Sequence, residues 1–357
     1  MDGNLSRSIL VNFFCCQSPA SSSFPDKSLM DLIASMDGGH FDIPIIHGFE
    51  ENPVRVFSAA ELDKSTESFN QARLLTEDAL WKIYRSGSLK KHNLVLIKKY
   101  NKADKEFPLI KSPAVRDTAI AAQMCNHRNV LKLIGVCMEF DAPALIYEHP
   151  ENTRLLSNVL FRNGSDLTWK SRLGLACNIA NAILHLHTAF STKIVHRNLK
   201  LENIFIDKDE IAKLFDFSFA ICIPQGESEV NDAVVGTRGF IESEYARTGS
   251  VSDKVDVYDF GIILLEFLSG RRPNYAGGES LDDMKECIAK HELNLIVDSK
   301  VLEIEQEIQL MDFAQLSLRC MNENREMRPN MPQVVDELIR LQGLCHGPFV
   351  GGPNQEE

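Results

Sequence analysis

The chain has 357 residues, 44% hydrophobic and 25% charged, with a formal net charge of −12. That length and apolar content suit one large domain or two lobes with a sizeable core. The acidic balance excludes a general nucleic-acid binder, which needs clustered basic residues to neutralise phosphates, and no apolar run approaches the ~20 residues that cross a bilayer. Nine cysteines, odd in number and without repeated C-x-x-C pairs, read as reduced thiols of a cytosolic protein without a structural zinc site.

Residues 1 to about 56 read as a partly disordered extension, with a Ser/Pro stretch (SPASSSFP, 18–25), the Gly-containing MDGGH and a short helix expected at Leu29 to Ala34. The run SILVNFFCC after Arg7 imitates a secretory h-region, but Asn12 interrupts it and no small-residue cleavage site is clear. Cys15 and Cys16 are candidates for acylation; a flexible tail or small apolar helix is the simpler reading. From Phe57 the pattern tightens. VLIKKY (95–100) and ALIYEH (144–149) predict strands, with helical spacing over 113–125 between them.

Beyond Asn163-Gly164 the chain turns helical. Leu173, Ala176, Ala180, Ile183 and His187 form an i, i+3/i+4 stripe in a helix starting near Thr168. Val257, Phe260, Leu264 and Leu268 form another, which Gly270 should end. Further helices are expected around 306–320 and 331–343. Strands first and helices afterwards predict an α+β fold of two lobes, a small β-rich one over about 57–149 and a larger helical one over about 150–344, followed by a tail at 345–357.

The chemistry concentrates in VHRNLKLENIFI, residues 195–206. Arg197, Lys200 and Asn203 are spaced like a phosphoryl-transfer catalytic loop, yet Asn198 stands where that loop needs a carboxylate. An amide cannot accept a proton as a general base. Five more fragments occur in order with it: Val95-Leu96-Ile97-Lys98, Asp216-Phe217-Ser218, Gly236-Thr237-Arg238-Gly239-Phe240 running to Glu244-Tyr245, Asp256-Val257-Tyr258-Asp259-Phe260-Gly261, and Arg328-Pro329. Together they resemble the protein kinase fold over about 57–344, and in particular the plant receptor-like cytoplasmic kinases. HRNVLKLIGVC, AKLFDFSFAICIPQGE and the replaced glycine of D-F-G are similar to the ZED-related kinase subfamily, several members of which are described as pseudokinases.

That resemblance implies roles for single residues. Lys98 would hold nucleotide phosphates and pair with a carboxylate on the first helix, for which Asp117 is the nearest match and Thr118 the next. Tyr147 and Glu148 fall at the gate and hinge of the nucleotide pocket. Thr76, Asp78 and Trp81 stand where three phosphate-cradling glycines belong, with Ile83 following; an indole there blocks close backbone approach and an aspartate repels phosphates. Asn203 and Asp216 would hold Mg²⁺, while Ser218 replaces the glycine that lets this segment flip. Arg197 would pair with a phosphate on the activation segment, whose Ser218, Ser228 and Thr237 are candidate modified hydroxyls. Glu244 and Arg328 are expected as a buried ion pair, and Asp256 as the acid that orients the catalytic-loop backbone.

The resemblance also sets the functional expectation. It implies a pseudokinase adaptor in plant immunity, linking a nucleotide-binding leucine-rich-repeat receptor to another receptor-like cytoplasmic kinase or a pathogen effector. Binding of ATP and Mg²⁺ would be weak or absent. The chain would lie in the cytoplasm or at the periphery of the plasma membrane. The alternatives are an atypical, weakly active Ser/Thr kinase and an ATP-binding switch without turnover.

Overall fold

Strand β4 (Val95–Tyr100) shows how the small lobe is assembled. Successive side chains of a strand point to opposite faces. Val95 and Ile97 enter an apolar cluster with Phe57, Leu62, Cys137 and Ile146, whereas Leu96 and Tyr100 join the main core on the other side. Both faces of the strand are therefore covered. A computed structural model describes residues 54–87, 89, 94–101, 111–149, 152–162, 165–273, 280–302 and 307–344. The proposed extension, with the helix expected at Leu29 to Ala34, Cys15 and Cys16, lies outside the described residues except for its last three positions; so does the tail at 345–357.

Six strands form the small-lobe sheet: β1 (Arg55–Val56), β2 (Leu74–Glu77), β3 (Trp81–Ser86), β4, β5 (Leu133–Cys137) and β6 (Ala144–Glu148), in the order β1-β5-β6-β4-β3-β2. β3 and β4 pair antiparallel, with Ile83 opposite Lys98, and β4 pairs with β6 so that Lys98 lies opposite Leu145. Helix α1 (Ala59–Thr66) begins with a capping box in which Ser58 and Glu61 satisfy each other's backbone N–H groups. Helix α2 (Lys111–Met124) packs on β5 and carries Asp117 towards β4.

The large lobe opens with β7 (Arg154–Leu155) and α3 (Leu156–Leu160), and then α4 (Trp169–Thr188), capped by Thr168 as its stripe predicts. Short strands β8 (Lys193–Val195), β9 (Ile204–Ile206), β10 (Ala212–Leu214) and β11 (Ile221–Ile223) carry the catalytic loop and the start of the activation segment. β12 (Val230–Asn231), α5 (Ser243–Thr248) and β13 (Ser250–Val251) complete that segment, with β12 and β13 paired antiparallel.

Helix α6 (Lys254–Ser269) is buried along its whole length after the first residue. A helix apolar all round belongs in a core, and this one is the axis of the lobe. At Gly261 a Cβ would come within 2.6 Å of Met321 Cγ and 3.1 Å of the Ser317 carbonyl. The missing side chain thus lets α9 (Glu307–Cys320) cross at close range. Gly270 ends α6 at φ 66°, where glycine has no Cβ penalty. Helices α7 (Leu281–Ala289), α8 (Ser299–Leu302) and α10 (Met331–Leu344) finish the lobe. Among the described residues no helix is long and apolar enough to cross a membrane.

Candidate functional site

Leu96, Lys98 and Tyr100 share the face of β4 that looks into the crevice between the lobes. Lys98 is fully buried, and its Nζ lies 2.5 Å from Asp117 Oδ2, 2.5 Å from Asp216 Oδ1 and 3.3 Å from Ser218 Oγ. Asp117, rather than Thr118, is the helix partner: the Thr118 hydroxyl donates back to the Ala114 carbonyl at 2.7 Å. One methylene shorter than glutamate, Asp117 still reaches Lys98, and it is held by Tyr100 OH at 2.8 Å and the Phe217 N–H at 2.8 Å. Ser218 Oγ also donates to Asp216 and lies 2.7 Å from Tyr100 OH.

The cluster is dry and carries one cation against two carboxylates. Burial pushes the Asp216 carboxyl up, but the Lys98 charge and hydrogen bonds from Lys98 and Ser218 more than reverse this and hold it below the usual carboxylate range. Burial, reinforced by the charges of Asp117 and Asp216, pushes the Tyr100 and Tyr147 phenols well above theirs. Tyr147 is buried with its OH unpartnered, while Glu148, at the end of β6, is half-exposed and donates its N–H to the Lys132 carbonyl at 3.0 Å.

The β2–β3 turn closes over this cluster. Thr76 pairs with Ile83 across the two strands, the Asp78 N–H bonds the Trp81 carbonyl at 2.9 Å, and Ile83 is buried. Trp81 meets Phe215 edge to face, centroids 5.7 Å apart, and Lys98 Nζ lies 4.8 Å from the Trp81 ring centroid. Asp78 Oδ2 accepts from Lys200 Nζ at 2.7 Å, joining the small-lobe turn to the catalytic loop of the large lobe.

That loop is shaped by Asp256 of α6. Its carboxylate accepts the backbone N–H groups of His196 and Arg197, both at 2.8 Å, and lies 2.8 Å from His187 Nε2. Asn198 Oδ1 accepts from Thr237 Oγ1 at 2.9 Å, and its Nδ2 has no partner. Asn203 Nδ2 bonds the Asn198 carbonyl at 2.9 Å, leaving Asn203 Oδ1 without one. Arg197, at φ 65°, donates to the Phe219 carbonyl at 2.6 Å and to Asp232 at 2.8 Å, so a carboxylate of the chain occupies the guanidinium.

Comparison with known proteins identifies the frame that holds these groups. A family profile described as the protein kinase domain matches residues 80–338. The chain belongs to the protein kinase family. It is 37% identical to a protein named non-functional pseudokinase ZED1 of Arabidopsis thaliana over 88% of this chain and 94% of that protein. It is 33% identical to inactive serine/threonine-protein kinase ZRK12 of the same plant, over 90% of this chain and 78% of the relative. Serine/threonine-protein kinase ZRK1, also from Arabidopsis thaliana, is 33% identical over 81% of this chain and 86% of its own length. The chain is therefore a kinase-like protein of the ZED-related pseudokinase type.

Kinase chemistry uses Mg²⁺ and ATP, and the charged residues that would meet that pair are engaged within the chain. Lys98 is paired with two carboxylates, Lys200 with Asp78, and Asp216 Oδ1 with Lys98 and Ser218. Of the expected metal ligands, Asn203 has its oxygen without a partner, and the contacts of Asp216 all fall on Oδ1. Among the described residues no three His, Cys, Asp or Glu side chains come together to hold a metal ion.

Two expectations about the activation segment need correction. The buried carboxylate that anchors it is Glu242, not Glu244: Glu242 pairs with Arg325 at 2.7 Å and Arg328 at 2.9 Å, whereas Glu244 is 41% exposed and only 3.4 Å from Arg325. Glu242 is the N-cap position of α5, so its side chain turns back into the lobe, while Glu244 sits on the first helical turn towards solvent. Tyr245, next in sequence, is the buried one, its OH bonding the Val235 N–H and the Ala233 carbonyl. Secondly, Ser218 and Thr237 are buried and already hydrogen-bonded, which leaves Ser228 as the exposed hydroxyl of the three.

Motif spacing alone does not mark Tyr100, Asp232, Glu242 or Asp259 as site residues. Tyr100 carried a signal, since position i+2 of a strand shares the face of Lys98. Asp259 accepts the Leu199 N–H at 3.2 Å, and burial, with the nearby Asp256 charge, pushes its carboxyl well up. Asp232 lies 35 positions from Arg197, and no local pattern ties the two.

Proposed function

We propose that this protein is a catalytically retired kinase that acts as an adaptor. The observation that carries the reading is that the catalytic-loop lysine, Lys200, is neutralised by Asp78 of the small-lobe turn while an amide, Asn198, stands at the position of the base. Losing general-base assistance alone lowers the rate by about 10²- to 10⁴-fold; losing the positive charge that would meet phosphate removes the electrostatic term on which phosphoryl transfer mostly rests. What survives is the scaffold, which presents a kinase-shaped surface.

In this reading one face binds a plant nucleotide-binding leucine-rich-repeat immune receptor and another binds a receptor-like cytoplasmic kinase or a pathogen effector, in the cytoplasm or at the inner face of the plasma membrane. The resemblance to the ZED-related kinase subfamily implies it. Modification reaching the exposed Ser228 would change the surface that the receptor or its partner reads. Such a change acts only through a difference in affinity between receptor states.

The assembled Lys98–Asp117 pair and the open Asn203 oxygen favour a second reading, a weak Ser/Thr kinase. Transfer of labelled phosphate from ATP, with Mg²⁺ or Mn²⁺, to the protein itself and to a generic substrate separates the two. Equal silence of wild type and Asp216→Asn is expected; transfer that Asp216→Asn abolishes overturns the retired reading. Mixing with a purified receptor of that class and following complex mass by light scattering tests the adaptor half, which fails if no complex forms.

A further inference from the structure

The Asp78–Lys200 bridge spans 122 positions of sequence and both lobes. It is nearly dry, the Lys200 side chain being 1% and the Asp78 side chain 10% exposed, which sets it apart from surface pairs that contribute little. The turn that delivers Asp78 is tied from behind. Asp78 Oδ1 accepts the Ala79 N–H at 2.6 Å, Asn101 Nδ2 holds the Ala79 carbonyl at 2.7 Å, and the Asn101 N–H bonds the Leu80 carbonyl at 2.9 Å. Leu80 is buried in the main core. A turn pre-ordered in this way loses little entropy when its carboxylate engages a partner.

Beside the bridge, Trp81 rests edge-on against Phe215, the residue before Asp216, while Lys98, Tyr100 and Arg116 reach across to Asp216 and Ser218. We infer that the Asp78–Lys200 bridge and the Trp81–Phe215 contact form an internal latch that holds the lobes closed, with the Asp78 carboxylate taking the place of an anionic ligand at Lys200. Closure then needs no nucleotide. This inference concerns conformation and stands apart from the adaptor reading.

Hydrogen–deuterium exchange on the full chain tests it, following peptides over 74–86 and 196–206 with α9 and α10 as internal references. Asp78→Asn and Lys200→Met should each speed exchange in both segments on the order of 10-fold or more while leaving α9 and α10 unchanged. The double variant should add nothing to either single one, because both remove the same bridge. The charge swap Asp78→Lys with Lys200→Asp should recover part of the protection. Millimolar Mg-ATP or inorganic tripolyphosphate should leave the wild type unaltered. Wild-type protection in Asp78→Asn, or slowing of exchange in the wild type by either polyphosphate, overturns the latch. Should Lys200→Met unfold the protein, Asp78→Asn at the outer turn still decides. The phosphate-transfer assay is read separately, so a failed latch and an active enzyme give different results.

Discussion

Two buried charge clusters of opposite surplus lie in this molecule, and they are treated differently. At the base of the activation segment one carboxylate, Glu242, serves two guanidinium groups, Arg325 and Arg328. In the cleft one ammonium, Lys98, serves two carboxylates, Asp117 and Asp216. In the first, the surplus positive charge is taken up by two exposed carboxylates near Arg325, Glu244 at 3.4 Å and Glu229 at 3.9 Å, and by backbone carbonyls: Arg325 donates to Ser250 and Arg328 to Asn322 and Lys254. In the second, the surplus negative charge is taken up by donors, the hydroxyls of Tyr100 and Ser218 and the Phe217 N–H. A buried charge persists when dipoles of the right sign surround it. The cleft, which in a working kinase would satisfy part of its charge with metal and phosphate, here does so from within.

The largest effect should come from breaking the first cluster. Glu242→Ala takes the buried carboxylate from Arg328 and leaves Arg325 only the exposed Glu244 and Glu229, and removing one partner of a buried pair costs about 3–5 kcal/mol. Chemical denaturation should show at least that loss, and the activation segment should be the first region to become protease-sensitive. Full wild-type stability in Glu242→Ala would mean that the carbonyls and the exposed acids satisfy the arginines without it, and the comparison would fail.

A further buried acid sharpens the contrast because its dipoles are missing. Glu266 of α6 is fully buried, accepts from Arg272 Nε at 3.3 Å, and has no partner for Oε2. Burial pushes its carboxyl to about 8, with the Arg272 charge opposing and the Glu202 charge assisting. An acid whose folded pKa is raised stabilises the fold fully below its unfolded value, near 4.5, and loses that contribution as pH rises through the folded value. Between pH 6 and 9 this group should therefore cost on the order of 2 kcal/mol of stability. Thermal unfolding across that range should decline less steeply in Glu266→Gln; identical slopes would show that Arg272 keeps the wild-type carboxylate ionised.

Much of this was legible before any coordinates. The order of strands and helices, the cap at Thr168 and the stop at Gly270 follow from periodicity, which is local, whereas the approach of Lys98 and Asp216, 118 positions apart, was legible only through the family resemblance. The latch was half legible: Asp78 and Trp81 were visibly wrong for cradling phosphate, but an aspartate that repels a ligand and one that binds Lys200 look identical in sequence. Asp232 on Arg197 and the hydroxyls around Asp216 were not legible, because they depend on how segments far apart in the chain come to face each other.

The misplaced anchor gives the smallest and most pointed prediction. The stretch Glu242-Ser243-Glu244-Tyr245 offers two glutamates two positions apart, and the sequence reading chose the second. On a helix two positions is more than half a turn, so both cannot face the core. The N-cap residue lies before the helix proper, and the chain's entry direction aims Glu242 inward, where it is 1% exposed. Glu244→Ala should therefore cost no more than about 0.5 kcal/mol, the scale of an exposed ion pair, with most of that small loss gone in high salt. A loss for Glu244→Ala that equals the loss for Glu242→Ala and is insensitive to salt would put the buried anchor on the second glutamate after all, and with it the direction in which the chain enters α5.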